Sequence, residues 1–247
     1  MRLIVTADDA GLSRAVDRGI AAAARSGIVT QTTLMAAAAH PDLPAAVARV
    51  QAMGLPCGIH LQLTTGAPLS AQLARATGAS LPDAATAAHL APALVEAEWR
   101  AQIEAVLDAG LRPSHLDSHQ GLHRLPHLRG IYLSLARDHA LPVRGDDPAF
   151  AAEARRHGVR ATPRVLSGWT GRRLGPAELL AELQAAAGED ELCELVTHPG
   201  HVDARLRTMS AWCDRREAEL AVLTDPRLAE DLAARGIALT DYRTLAP

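Results

Sequence analysis

Short apolar runs alternate along this chain with Ala- and Leu-rich stretches of helical period, about eight times over. Alternation of this kind implies parallel strands joined by helical crossovers. Strands are expected at 2–7, 28–35, 57–64, just before residue 115, and at 141–144, 163–168, 192–197 and 237–240. Helices are expected at 13–26, 41–53, 93–109, 125–139, 148–157, 176–187, 210–223 and 226–235. Ser13 suits a helix N-cap, and Gly27, Gly54, Gly110 and Gly188 suit helix stops. The segment CGIHLQLT alternates, with Ile59, Leu61 and Leu63 on one face and His60, Gln62 and Thr64 on the other. Length and element count favour an α/β fold of the distorted (β/α) barrel type, TIM-barrel-like, over an open doubly wound sheet. No linker or composition shift divides residues 1–247, which read as a single domain.

The residues with chemistry fall at the ends of the proposed strands. The densest group is SHLDSHQGLH at 114–123, with His115, His119, His123 and Asp117. His115 and Asp117 share a face on a strand, and His119 and His123 share one on a helical turn. Imidazole and carboxylate are the usual ligands of a catalytic divalent metal. Asp8 and Asp9 follow the first strand, His60 lies in the third, and His198 follows the seventh. In barrels of this class the active site lies on the face formed by the C-terminal strand ends, so these groups are expected to converge. Two adjacent carboxylates suit a division into ligand and base. The plainer alternatives are a dipole-favoured acidic pair at a helix start, a core histidine at 60 and a turn histidine at 198. Arg144, Arg172 and Asp203 are secondary candidates for orienting or substrate-binding roles. Residues 65–92 have weak periodicity and are expected to form a long loop over the site mouth.

Other classes lack support. Net charge is −3 and aromatic content is 2%, which gives neither the electrostatics nor the stacking surface for nucleic acid. No window is apolar enough to span a membrane. No secretion signal precedes the first strand. Cys57, Cys193 and Cys213 are three widely spaced residues, read as reduced thiols in a cytoplasmic protein. The chain contains no lysine. That removes Schiff-base catalysis, a pyridoxal phosphate anchor and the P-loop lysine. Neither GxSxG nor GxGxxG occurs.

Four motifs, ADDAGLS at 7–13, GIHLQLT at 58–64, HLDSHQGLH at 115–123 and HPGHVD at 198–203, resemble in order and separation those of the YdjC-like (ChbG/HpnK) carbohydrate deacetylases. The resemblance runs from about residue 3 to about residue 240 and takes in the REAEL segment at 216–220. It implies a distorted (β/α) barrel that removes acetyl groups from N-acetylated sugars with one divalent metal ion. By the same resemblance Asp9, His60 and His123 are the metal ligands and Asp8 is the general base. His198 matches a candidate acid or oxyanion stabiliser. His115, Asp117, His119 and Arg144 are then expected around the metal or the substrate. The chain departs from the family at Ala10, Gly121 and His201, where the family usually has Phe, His and Tyr. These positions bear on the walls of the site rather than on its ligands.

The expected reaction is metal-assisted amide hydrolysis of an acetylated sugar or glycoconjugate. Zn²⁺ and Mg²⁺ are the leading cations, and the ligand types also admit Mn²⁺ and Co²⁺. Two rivals stand beside it. One is a metal-dependent aldolase or isomerase of a small sugar phosphate, with a phosphate site at 168–175 around Arg172 and Arg173. The other is a non-catalytic metal- or sugar-binding barrel. The sugar and the oligomeric state, including a homodimer, stay open at this stage.

Overall fold

The computed structural model describes residues 1–169, 175–186 and 191–245. Arg172 and Arg173, proposed above for a phosphate site, and Gly188 lie outside them. Seven strands form one sheet: β1 (Arg2–Ala10), β2 (Gln31–Leu34), β3 (Cys57–Leu61), β4 (Leu116–Ser118), β5 (Val165–Leu166), β6 (Leu192–Thr197) and β7 (Ala238–Thr240). Every pairing is parallel, in the order β4-β3-β2-β1-β6-β5, with β7 beside β1. Isolated bridges from Leu116 to Val143 and from Val143 to Ala161 carry the sheet past β4 toward the segment that becomes β5. The result is a distorted (β/α) barrel, in which residues 141–144 contribute single bridges rather than a full strand.

β1 is the axis of this sheet. It pairs with β6 from Arg2 to Ala7, with β7 from Arg2 to Ile4, and with β2 from Thr6 onward. Covered on both faces, it is buried from Leu3 to Ala10, which explains its unbroken apolar start. The register against β2 shifts between Ala7 and Ala10. Asp8 and Asp9 sit in that irregularity, and Asp9 has φ of 71°. A bulge at a strand end re-aims side chains. Here it turns both carboxylates into the same end of the barrel.

Helices cover the sheet as the sequence pattern requires. Arg14–Ser26 starts where Ser13 Oγ accepts from Val16 N at 3.2 Å. Pro92–Asp108 and Pro126–Asp138 bring Trp99 and Tyr132 into the core with Ile59, Leu116 and Val143. The Tyr132 hydroxyl donates to Leu116 O at 2.7 Å and so ties its helix to β4.

Two stretches differ from expectation. Residues 65–92 contain two short helices, Ala71–Thr77 and Ala84–Ala87, started by Ser70 and Asp83. The stretch is held down by buried Glu98, which accepts from Leu69 N and Ser70 N, and only Thr65 of it lines the main cleft. An unexpected helix, Ala204–Met209, begins at Asp203, whose carboxylate accepts from Leu206 N at 2.8 Å. Asp203 therefore serves as a cap. No helix among the described residues is long and apolar enough to cross a membrane.

Candidate active site

The C-terminal ends of β1, β3 and β4 open into a cleft of about 510 Å³ lined by Asp8, Asp9, His60, His119, Arg144 and His198, among others. The convergence expected from topology is present. All of these except His119 and His198 have side chains no more than about 5% exposed.

His60 is held at its back. Its Nδ1 lies 2.8 Å from Asp117 Oδ1, which turns Nε2 toward Asp9 Oδ1 at 3.5 Å and Asp8 Oδ2 at 3.9 Å. A carboxylate behind an imidazole fixes the ring and its tautomer, as in metal sites. Burial alone would lower the His60 pKa, but Asp117, Asp8 and Asp9 outweigh it and raise it to about 9. Asp117 in turn is held well below the carboxylate range. Burial pushes it up, and Arg144 and His60 together override that.

Arg144 is the cation at the centre of the buried network. Its Nη1 and Nη2 donate to Asp8 Oδ2 and Oδ1 at 2.8 and 2.7 Å. Nη2 also lies 2.9 Å from both Asp117 Oδ2 and Glu194 Oε1. Glu194, fully buried on β6, accepts in addition from Thr6, Thr162 and Tyr242. Three carboxylates thus share one guanidinium, which suits arginine's fixed fork of donors. Sequence reading missed Glu194, although a lone charge inside the apolar run LCELVT was a signal for a buried partner.

Among the described residues two clusters have metal-type donors close together. Asp8, His60 and Asp117 form one, but Arg144 already bridges its two carboxylates. The other is Asp9, His60 and His119, with donor atoms all within 4.8 Å of one another. His119 Nδ1 lies 3.5 Å from Asp9 Oδ1, and the His60 and His119 rings meet edge-on at 5.4 Å. Asp9 Oδ1 is buried with no hydrogen-bond partner among the described residues. Burial raises the Asp9 pKa, but Arg216, His119 and His198 outweigh it and hold the carboxyl well below its usual range. A negatively charged oxygen that accepts no hydrogen bond and faces two imidazoles at 3.5 Å fits a divalent cation.

Asp9 and His60 lie in one donor group with His119, while His123, assigned to the metal by the motif resemblance, lines the same cleft with its Nε2 buried and without a hydrogen-bond partner among the described residues. The two histidines were expected to share a helical face. Between them Gln120 and Gly121 adopt φ of 58° and 66°, which interrupts the turn. His123 instead stacks on Tyr132 at 4.8 Å and places Nδ1 2.7 Å from Ser118 Oγ. Burial and the nearby Arg124 and Arg144 push its pKa down to about 3, so it is a neutral ring in the wall of the cleft. His115 is further back. It stacks on Tyr242 at 3.8 Å, fills the space left by Gly58, and is pushed by burial to about 4.

His198 faces the cluster from β6's end. Its Nε2 is 3.9 Å from Asp8 Oδ2, its ring meets Trp212 edge-on at 5.2 Å, and its backbone N donates to Glu219 at 2.6 Å. Burial lowers its pKa, and the nearby Asp9 and Asp8 only partly offset that. Arg216, whose Nη2 donates to Asp9 Oδ2, was not expected as a site residue. Its segment carried only a family likeness, and long-range ion pairs leave no periodic mark in sequence.

A parallel (β/α) barrel with carboxylates and imidazoles gathered at the C-terminal strand ends places the chain among barrels with a metal-type site on that face. The chain belongs to the YdjC-like protein family, whose profile matches residues 2–234. A carbohydrate deacetylase of Geobacillus stearothermophilus is 33% identical over 242 residues, covering 97% of this chain and 96% of that protein. The crystal structure of a proposed cellobiose-phosphate cleavage protein from Enterococcus faecalis V583 superposes with a TM-score of 0.87 at 30% identity, covering 100% of this chain and 99% of the other. A family 4 carbohydrate esterase from Streptomyces lividans, solved with acetate, shares the fold at a TM-score of 0.52 and 14% identity, with 100% and 97% covered.

Proposed function

We propose that the chain is a metal-dependent hydrolase that removes acetyl groups from N-acetylated sugars. The observation that carries this reading is the unpartnered Asp9 Oδ1 facing His60 and His119, beside a second carboxylate, Asp8, that is oriented but outside that ligand set. A binding protein has no need of the second carboxylate. The relatives named carbohydrate deacetylases support the substrate class.

Asp9, His60 and His119 would hold the cation, and zinc or magnesium suits one carboxylate and two imidazoles with open positions. A divalent ion there supplies Lewis acidity, polarising the acetyl carbonyl and making water more acidic. Arg144 grips both oxygens of Asp8 and fixes the carboxylate plane. Asp8 Oδ2 then accepts the proton of the attacking water as general base. His198 has its charged form disfavoured by burial. It gains a proton within the site, where its Nε2 lies 3.9 Å from Asp8 Oδ2, and delivers it to the departing amine. Leu12, Met35 and Val196 are buried apolar residues of the cleft lining and could receive the acetyl methyl. The free, buried thiols of Cys57, Cys193 and Cys213 suit a reducing compartment, and we place the enzyme in the cytoplasm.

The test is acetate release from N-acetylglucosamine, its oligomers and acetylated glycolipids. Release should stop on chelation and return with added zinc or magnesium. A protein that binds metal yet releases no acetate from any of these would overturn the reading.

A further inference from the structure

Arg216 stands on the helix Cys213–Leu223 and reaches Asp9 across 207 positions of sequence. Its Nη2 occupies Asp9 Oδ2 and leaves Oδ1 turned to His60 Nε2 and His119 Nδ1, each 3.5 Å away. The arginine side chain is only 4% exposed and packs closely on residue 200. A Cβ on Gly200 would meet Arg216 Cδ at 3.3 Å and Val16 Cγ2 at 3.4 Å. On the opposite side Gly19 packs against Gly200 with no room for a Cβ of its own. The glycine of the HPGH turn is therefore a seat for Arg216.

We infer that Arg216 is a positioning residue for the metal site, seated by Gly200, which occupies one oxygen of Asp9 and presents the other as a single donor. The inference rests on the reading of Asp9 as a ligand. A bland counter-ion would affect stability and leave metal binding unchanged. A purely electrostatic effect has the opposite sign, because a cation beside a cation site opposes binding and its removal tightens it. Positioning predicts weaker binding on removal, since a buried carboxylate released from its partner is free to turn away from the two imidazoles.

The experiment is calorimetric titration of zinc into the metal-free full chain, with Arg216→Met, Arg216→Lys and Gly200→Ala beside the wild type. Arg216→Met should bind zinc roughly 10–100-fold more weakly, the usual effect of removing a residue that orients a ligand. Arg216→Lys should recover most of that loss, because an ammonium can still donate to Oδ2. Gly200→Ala should weaken binding less than Arg216→Met. Acetate release by these variants should need more metal to reach half-maximum. Equal or tighter zinc binding by folded Arg216→Met overturns the inference. If that variant does not fold, wild-type affinity in Gly200→Ala overturns it. A wild type that binds no divalent ion defeats the metal reading itself, and the inference with it.

Discussion

Arg144 closes on Asp8 from 136 positions away, with Nη1 2.8 Å from Oδ2 and Nη2 2.7 Å from Oδ1. Both partners are buried, and the same guanidinium serves Asp117 and Glu194. Removing it would leave three carboxylates without their shared cation. Breaking one side of a buried ion pair costs about 3–5 kcal/mol. Arg144→Met should lose at least that much in urea denaturation of the metal-free protein. Wild-type stability would show that the network can neutralise itself by other means.

The second prediction separates the two histidines of the 119–123 turn. His119→Ala should lose bound metal. His123→Ala should keep it and lose stability instead, because the ring stacks on Tyr132 and is bonded to Ser118. Metal analysis of the purified variants decides. Loss of metal only in His123→Ala would instead support the ligand set that the motif resemblance implies.

That contrast shows what the sequence made legible. The strand–helix alternation and the strand-end carboxylates and imidazoles were readable from periodicity, because parallel strands buried on both faces leave continuous apolar runs. The shared helical face expected for His119 and His123 does not form, because Gln120 and Gly121 take positive φ and interrupt that turn. The ion pairs of Arg216 and Glu194 with Asp9 and Arg144 were also hidden. They join residues brought together by barrel closure, which leaves no trace in local pattern.

The third prediction concerns pH. His60 has a folded pKa of about 9, above the ordinary value of about 6.5. Its contribution to the stability of the metal-free protein is full below about 6.5 and is lost as pH rises through about 9. His115 and His123, pushed to about 4 and about 3, act in the other direction. As pH falls below about 6.5 the unfolded chain takes up protons that the folded one refuses, so stability falls there too. Metal must displace the His60 proton. Zinc affinity should therefore rise about tenfold per pH unit between roughly pH 7 and 9. An affinity flat across that range would mean that His60 carries no proton there in the metal-free protein.

The most direct test of the central claim is acetate release by Asp8→Asn and Asp9→Asn across a metal titration, with bound metal measured in the same samples. The account predicts that Asp8→Asn holds metal normally and turns over roughly 10²–10⁴-fold more slowly, as loss of a positioned base does. Asp9→Asn should bind metal weakly and recover in part as metal is added. Near-normal turnover by Asp8→Asn, or its rescue by metal alone, would contradict the account.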